Sequence, residues 1–388
     1  MKKIRLLTPG PTPVPERLSL RMARPIVHHR SPEFEAVFAR VREGLAWLYQ
    51  TKQDVLVFAA SGTGAMEASF VNFLRKGDTA VVVDGGKFGE RWGKLAKAYG
   101  VNAVTLKCEW GEPVAPAAVE KALRENPQAK AVYVQANESS TGVYHPIREL
   151  AQVTARTGAI LVVDAISSLG AMPLPMDEWG IDVMVSAGHK ALGLPPGIAF
   201  LAANEKAWKL NETADLPRFY FDIKRERENQ RKNQTAWTPA ISLVQGLDES
   251  LQMFREEGLQ ACFARHERLA RGARAGMQAL GLKLYSKAPS AAMTTVLAPE
   301  GTDSEKLVKH LFKEYGIKLV GGQDAAKGKI FRIAHLGYFD DFDMLVVVGA
   351  IERGLRDLGA KAQLGAGLAA AQAAMAEAGA PSGPELRG

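Results

Sequence analysis

Short apolar runs alternate with helical segments over the first two hundred residues of the chain. Six of these runs have the length and composition of buried strands: VLVFAA (55–60), TAVVVD (79–84), NAVTL (102–106), AVYVQ (131–135), AILVVD (159–164) and IDVMVS (181–186). Segments with helical periodicity, such as AMEASFVNFL and HPIRELAQVTARTG, lie between several of them. This alternation predicts an α/β fold with right-handed crossovers and a mainly parallel sheet covered by helices on both faces.

The pattern changes at both ends of this region. The first fifteen residues contain four prolines and no periodicity, which predicts an extended arm. Residues 243–280 have the pattern of a long helix, and the shorter apolar runs LKLYS, TTVLAP and KIFRIAHL follow it. They predict a smaller α+β domain. The Ala/Gly-rich sequence from Leu364 onward is expected to be a loosely docked helix followed by disorder, with no assigned function.

A chain of 388 residues is longer than a single hydrophobic core usually supports, so two domains are expected. We divide it into an N-terminal arm (1–22), a large domain (23–262), a small C-terminal domain (263–363) and a tail (364–388).

The charge distribution gives little sign of a macromolecular partner. The chain has 49 Lys and Arg against 42 Asp and Glu, a formal net charge of +7. The basic residues are scattered, and the one dense run, KRERENQRK at 224–232, is interrupted by acids and is typical of a solvated face. No nucleic-acid-binding module is recognisable. A diffuse positive field favours small acidic substrates.

Cysteine content and hydropathy narrow the class further. The two cysteines, Cys108 and Cys262, are far apart in sequence, which argues against a disulfide framework and against a metal cluster. No apolar run approaches about 18 residues, so no membrane span is expected. The N-terminus lacks the apolar stretch of a signal peptide. These features predict a cytoplasmic protein without a metal.

In open parallel sheets, ligands bind outside the carboxyl ends of the strands. SGTGAME (61–67) follows the first strand and places small residues at a helix start, where free backbone amides suit an anion such as phosphate. It is neither a P-loop nor a GxGxxG motif, and an ordinary tight turn explains it equally well. Phe88, after two glycines behind the 79–84 strand, could lie flat on a planar ligand or could cap the core.

Three further strand ends carry polar groups. The loop ANESSTG brings Ser139 and its hydroxyl neighbours to the sheet edge, where they could also form a helix cap. Asp164 directly follows AILVV, and a carboxylate there needs a strong partner unless it caps a helix. Lys190, in SAGHKALGLPPG, is a lone lysine held in a turn after the last of these strands.

One ligand would use all five features together. Pyridoxal phosphate has an aldehyde for a lysine whose pKa is depressed by desolvation, and a ring nitrogen for a carboxylate. Its flat ring suits the aromatic, and its phosphate suits the glycine-rich helix start. Each feature alone is weak evidence, but the set in this order predicts that cofactor.

The chain resembles the fold-type I, class V pyridoxal-phosphate aminotransferases, especially the serine–pyruvate and alanine–glyoxylate enzymes. The resemblance runs from LLTPGPTPVPERL to about Gly359 and includes SGTGAMEA, NESSTGVYHPI, VVDAISSLGAMPLPMDEWGIDVMVSAGHKALGLPPGIAFL and FRIAHLG. It implies a mainly parallel, seven-stranded type of sheet in the large domain and a homodimer with shared active sites.

The resemblance also implies roles for individual residues. Lys190 would hold the cofactor covalently and shuttle a proton, and Asp164 would pair with its ring nitrogen. Thr63, Gly64 and Ala65 would bind the phosphate, and Ser139 would contact the cofactor near its ring hydroxyl. Arg332 would bind the substrate carboxylate. The segment 233–239, with Thr235 singled out, would supply phosphate contacts to the neighbouring subunit.

Two positions depart from the family pattern. Phe88 stands where a tryptophan is expected, which reduces the stacking area. His189 stands where a glutamine is expected just before the lysine. His189 could still donate to the phosphate, but it adds a titratable group.

We therefore expect an aminotransferase that moves the amino group of a small amino acid, serine or alanine, to glyoxylate or pyruvate. One alternative is another donor, aspartate or 2-aminoethylphosphonate. A second is a cysteine desulfurase-like lyase, although neither cysteine lies in a suitable loop. A third is a catalytically silent subunit, against which the presence of Lys190, Asp164 and Arg332 argues.

Overall fold

The computed structural model describes residues 2–377. The strands are β1 (Arg5–Leu6), β2 (Val55–Phe58), β3 (Thr79–Asp84), β4 (Asn102–Lys107), β5 (Ala131–Gln135), β6 (Asn137–Glu138), β7 (Val143–Tyr144), β8 (Ile160–Asp164), β9 (Val183–Ala187), β10 (Ala199–Ala203), β11 (Met293–Leu297), β12 (Ile317–Lys318), β13 (Val320–Gly321) and β14 (Ile330–Ala334). The helices are α1 (Glu16–Met22), α2 (Pro32–Tyr49), α3 (Gly62–Val71), α4 (Gly89–Tyr99), α5 (Pro116–Glu125), α6 (Ile147–Thr154), α7 (Met176–Trp179), α8 (Glu205–Asn211), α9 (Ile223–Gln230), α10 (Ile241–Glu257), α11 (Leu259–Ala279), α12 (Ser304–Tyr315), α13 (Asp341–Asp357) and α14 (Ala366–Ala376).

The predicted sheet is confirmed. It has seven strands in the order β2-β10-β9-β8-β5-β3-β4, and all neighbours pair in parallel except β10, which is antiparallel to both β2 and β9. The central strands β5, β8 and β9 are buried along their whole length, as expected when helices cover both faces. Two separate apolar clusters lie on the two faces of this sheet.

Three local expectations differ from the structure. Strand β10 was not predicted, because its Ala-rich sequence AFLAA lacks β-branched residues. The run LKLYS forms only a single bridge, from Leu284 to Val296. The long helix predicted over 243–280 is two helices, α10 and α11, separated at Gly258, whose φ of 82° lies in the left-handed region that favours glycine.

A second unit follows, as predicted. Its three-stranded sheet has the order β11-β14-β13 and packs with α11, α12 and α13 around an apolar cluster of its own. The boundary that we placed at 262/263 falls inside α11. Helix α14, within the predicted tail, packs closely on α11, and the buried Glu352 carboxylate accepts hydrogen bonds from two amides at its start, at 3.1 and 2.9 Å. The predicted disorder beyond it lies outside the described residues.

The N-terminal arm connects the two units. Its strand β1 pairs in parallel with β12 of the second unit, and the proline-rich segment that follows passes directly over the loop after β9. Its last residues, 16–22, form α1, which packs on α10. Among the described residues, no helix is both long and apolar enough to span a membrane.

Candidate active site

Lys190 lies in the loop after β9, at the carboxyl edge of the sheet, and only 9% of it is exposed. Its Nζ donates a hydrogen bond to the carbonyl of Pro9 at 2.6 Å, and its own carbonyl accepts one from Thr12 Oγ1 at 2.7 Å. The arm therefore covers the lysine. Gly10 makes this close approach possible, since a Cβ added there would lie 2.2 Å from Nζ.

The surroundings of Lys190 favour the neutral amine. Burial lowers its pKa to about 8, and the positive charges of Arg332 and Arg91 act in the same direction, whereas Asp164 opposes them. A lysine with a pKa near 8 supplies a useful fraction of neutral amine at physiological pH. It can therefore act as a nucleophile or as a base.

Asp164 ends β8 and is 5% exposed. Its Oδ1 accepts a hydrogen bond from the amide of Ile166 at 2.8 Å. Burial raises the pKa of this carboxyl to about 7, and the charge of Glu138 adds to the rise, against the effects of Arg91 and Lys190. No cation of the described residues lies within 4.0 Å of it. Asp164 is thus a buried carboxyl group that lacks a cationic partner.

Arg332 and Ser139 meet at the junction of the two units. Arg332 lies on β14 and is 6% exposed. Its Nη1 donates to the carbonyl of Ser139 at 2.8 Å, and its Nε donates to the carbonyl of Gly321 at 3.1 Å. No carboxylate in residues 2–377 lies within 4.0 Å of this guanidinium. Burial lowers the pKa of Arg332 to about 10, so the group is a desolvated cation available to an incoming carboxylate.

The predicted phosphate residues lie at the start of α3, directly after β2. Thr63 is exposed, Gly64 is half-buried and Ala65 is buried. The amides of Gly64 and Ala65 donate to the carbonyl of Ser61, at 2.9 and 3.3 Å, within the first turn of the helix, and the Thr63 hydroxyl accepts a hydrogen bond from Arg91 at 2.8 Å. Gly64 is needed for packing, since an added Cβ would lie 2.8 Å from Ala60 and 3.0 Å from Phe221.

Phe88 immediately precedes α4, and its ring is half-buried. The amides of Phe88 and Gly89 donate to the carboxylate of Glu138, at 3.1 and 2.9 Å. Ser140 donates to the same carboxylate through its Oγ at 2.6 Å. The fully buried Glu138 therefore joins the loop that carries the aromatic ring to the loop that carries Ser139.

The other two predicted residues differ in their setting. His189 is half-buried beside Lys190, and its Nδ1 is buried without a hydrogen-bond partner in residues 2–377. Burial and the charge of Lys190 lower its pKa to about 4. Thr235 lies in another pocket, with Tyr220 and Trp237, and its hydroxyl donates to the Trp237 carbonyl at 2.6 Å. A single chain does not bring Thr235 to Lys190.

The sequence reasoning missed several residues of this edge. Glu138, Arg91 and the pair Asn137–Ser167, whose side chains lie 2.9 Å apart, were not singled out. Glu138 and Asn137 stand inside the quoted loop ANESSTG, so their position after a strand was a usable signal. Arg91 stands on a helix, and only the tertiary structure brings it to this edge.

The residues present fit pyridoxal phosphate. Two polar atoms at this edge, His189 Nδ1 and Asn137 Oδ1, are buried and lack a partner among residues 2–377, as expected of groups that await a polar ligand. A lysine with a lowered pKa, a carboxyl group, an aromatic ring and the start of helix α3 lie at the same edge of the sheet. No group of three or more His, Cys, Asp or Glu side chains in the described residues is placed to hold a metal ion.

Comparison with known proteins agrees with this chemistry. A family model described as Aminotransferase class-V matches residues 18–337. The chain is 44% identical over 382 residues to a protein of Synechococcus sp. (strain PCC 6716) named soluble hydrogenase, small subunit, covering 97% of this chain and 99% of the relative. It is 36% identical to the L-aspartate–glyoxylate aminotransferase of Paracoccus denitrificans, covering 95% of each chain. It is 34% identical to the serine–glyoxylate aminotransferase of Methylorubrum extorquens, covering 96% of each chain.

The fold is also that of a solved aminotransferase. The ureidoglycine–glyoxylate aminotransferase from Bacillus subtilis superposes with a TM-score of 0.91 at 28% sequence identity, covering 96% of this chain and 98% of that one.

Proposed function

The chain belongs to the class V aminotransferases, which depend on pyridoxal phosphate, and we propose that it moves the amino group of serine or alanine to glyoxylate or pyruvate. One observation carries this proposal. At the carboxyl edge of the large sheet, a buried lysine with a lowered pKa lies near a buried arginine that has no carboxylate partner in the described chain.

When bound, the cofactor supplies an electron-poor ring that stabilises negative charge developing at the substrate Cα. Lys190 would hold the cofactor, and its Nζ, once released, would take the proton from the substrate Cα and deliver it to the former aldehyde carbon of the cofactor. The arm at Pro9 and Gly10 covers Nζ and limits the access of water to it. A pKa near 8 suits both halves of this proton transfer.

Other residues would bind and orient. Asp164 would accept a hydrogen bond from the ring nitrogen and keep it protonated. Phe88 would pack against the ring, and Ser139 would contact it near the hydroxyl. Thr63, Gly64 and Ala65 would form the helix start that receives the phosphate, with His189 beside them.

Arg332 would bind the α-carboxylate that all amino and oxo acid substrates share. Its planar fork matches a carboxylate in two parallel hydrogen bonds, and its backbone partners at Ser139 and Gly321 fix its direction. The hydrophobic neighbours Phe331 and Ile333 are fully buried and hold the strand in place. A small uncharged donor needs no second charge at the site.

Aspartate is the second candidate donor. Arg91 supports it, because this arginine has no carboxylate within 4.0 Å in residues 2–377, lies at the same edge and would suit a distal carboxylate. The Paracoccus relative is named for that donor.

We further propose a cytoplasmic homodimer in which the loop with Thr235 completes the phosphate site of the partner subunit. Large apolar side chains are exposed beside this loop and on the arm, including Phe219 at 71% and Leu20 at 72%. Such a surface is typical of a protein interface. Sedimentation of the purified protein tests this assembly.

A panel of amino donors against three oxo acids tests the substrate assignment. Serine, alanine, aspartate and glutamate should each be assayed with glyoxylate, pyruvate and 2-oxoglutarate. Serine or alanine should outrun the acidic donors with glyoxylate. If aspartate with 2-oxoglutarate is the best pair by a wide margin, the small-donor assignment is wrong.

A further inference from the structure

Arg91 is a cation at the site to which the proposed reaction of serine or alanine assigns no role. It lies in the first turn of α4 and is half-buried. Its Nη1 donates a hydrogen bond to Thr63 Oγ1 at 2.8 Å, and its guanidinium lies 4.9 Å from the centre of the Phe88 ring. Both contacts are with residues assigned to the cofactor.

This guanidinium has no counter-charge in the described chain. Within residues 2–377 no carboxylate lies within 4.0 Å of Arg91. The adjacent Glu90 is paired instead with Lys87 at 3.0 Å and with Lys94 at 2.7 Å. Arginine remains charged at all relevant pH values and has five N–H donors. An arginine that keeps its charge beside a helix start and uses one donor there is suited to an anion.

The hydroxyl of Thr63 connects Arg91 to the start of α3. Its oxygen accepts the hydrogen bond from Arg91, so its own O–H proton remains free to be donated. An anion at the start of α3 would therefore receive the hydroxyl of Thr63 together with the free donors of Arg91. Arg332, which we assign to the substrate carboxylate, is bonded to a different loop, at Ser139.

Other cations at this edge do not supply the charge. Lys190 is committed to the cofactor aldehyde and to proton transfer. His189 is neutral at physiological pH in the absence of a ligand, because burial and Lys190 lower its pKa to about 4. A phosphate monoester carries between one and two negative charges near neutral pH, more than a helix start alone balances.

We infer that Arg91 is a phosphate-binding residue for the cofactor, acting directly and through the hydroxyl of Thr63. The inference rests on the proposed function of the site. The Phe88 ring, which packs against the guanidinium, would hold it in this direction. Arg91 would then contact the cofactor phosphate and also support the Phe88 ring, which packs against the cofactor ring.

The test compares pyridoxal phosphate with pyridoxal, which lacks the phosphate. Dissociation constants for both are measured on cofactor-free protein by quenching of tryptophan fluorescence. Arg91→Met should weaken the binding of pyridoxal phosphate at least about tenfold, the scale of one charge-assisted hydrogen bond, and leave pyridoxal within about twofold. Arg91→Lys, which keeps the charge but loses the fork, should lie between. Inorganic phosphate should compete with pyridoxal phosphate in the wild type and less in Arg91→Met.

Lys94→Met is the matched control, since Lys94 is an exposed cation on the next turn of α4. It should bind both ligands like the wild type. Equal weakening of both ligands in Arg91→Met, or no change in either, would overturn the inference. So would a rise confined to the KM for aspartate, which would assign Arg91 to the substrate. Failure of the proposed function looks different, because the wild-type protein itself would then not bind pyridoxal phosphate through Lys190.

Discussion

The two edges of the large sheet differ in whether their buried charged groups have partners within the described chain. At the amino edge, Asp182 precedes β9 and is 3% exposed. Its carboxylate accepts hydrogen bonds from the Leu161 amide and from Asn204, both at 2.8 Å, and Lys206 Nζ lies 3.6 Å away. Every requirement of this buried carboxylate is met within the chain, so the residue joins neighbouring elements and stabilises the fold.

At the carboxyl edge the same chain leaves comparable charges unpaired. In the described chain the Asp164 carboxyl accepts one hydrogen bond, from a backbone amide, and Arg332 has two carbonyl partners but no carboxylate within 4.0 Å. Lys190 donates to a carbonyl, that of Pro9. Unpaired buried charges destabilise a folded protein. Their concentration at one edge indicates that a ligand completes them.

The largest effect is expected at Lys190. Lys190→Ala should abolish the visible absorbance band of the lysine-bound cofactor and lower turnover roughly 10²- to 10⁴-fold or more, because the base is lost. Absorbance spectra and single-turnover rates measure this. Lys206→Ala, a lysine at the amino edge, is the control and should keep the band. A band that persists unchanged in Lys190→Ala would sink the assignment of this lysine.

Arg332 comes next. Arg332→Lys keeps the charge and loses the planar fork, so KM should rise roughly tenfold to a hundredfold for every amino and oxo acid alike, with a smaller change in kcat. Steady-state kinetics with two donors and two acceptors measure this. Arg274→Lys is the control, since Arg274 is also bonded to backbone carbonyls in the second unit. A rise in KM for one substrate only would argue against a common carboxylate site.

The contrast between the edges also shows how far the sequence could be interpreted. Apolar runs and their order predicted the parallel sheet, because buried strands must be apolar on both faces. They could not predict β10, whose alanines have little strand preference. Asp164 and Lys190 could be singled out as candidates because both stand next to a strand end in sequence, and their roles stay predictions.

Arg91 and the Pro9–Gly10 segment escaped prediction because their proximity to the site depends on tertiary packing. Arg91 is separated from Thr63 by a strand and most of a helix, and the arm reaches Lys190 across 181 positions of the chain. No local pattern in the sequence records such contacts. The resemblance to known enzymes supplied Arg332, for which the strand alone gave only apolar flanks.

A smaller effect is expected at His189. Without ligand its pKa is about 4, and a phosphate beside it would raise that pKa. The bound form then holds a proton that the free form has lost. As pH rises from the pKa of the free form to that of the bound form, affinity for pyridoxal phosphate should therefore fall about tenfold per pH unit. Dissociation constants between pH 5 and 8 for wild type and His189→Gln measure this, because the titration of the phosphate itself is common to both. Identical profiles would mean that His189 is a structural spacer.

The central claim concerns Asp164, whose charge in the ligand-free protein should oppose folding. Burial raises its pKa to about 7 in the folded protein, against an ordinary value of 3.8, which we take for the unfolded chain. The folded state therefore holds a proton that the unfolded chain has released, and this residue's contribution to stability falls as pH rises from about 4 to about 7. Asp164→Asn removes that loss, whereas Asp182→Asn removes a charge that is fully paired.

Urea unfolding of the cofactor-free proteins at pH 8 tests this most directly. Asp164→Asn should be no less stable than the wild type, and Asp182→Asn should lose roughly 1–3 kcal/mol. On loading, Asp164→Asn should still bind the cofactor but turn over far more slowly, since the group that we propose as the partner of the ring nitrogen is gone. A cofactor-free Asp164→Asn protein destabilised as much as Asp182→Asn, with near wild-type turnover when loaded, would contradict the claim that the carboxyl edge is built for a ligand.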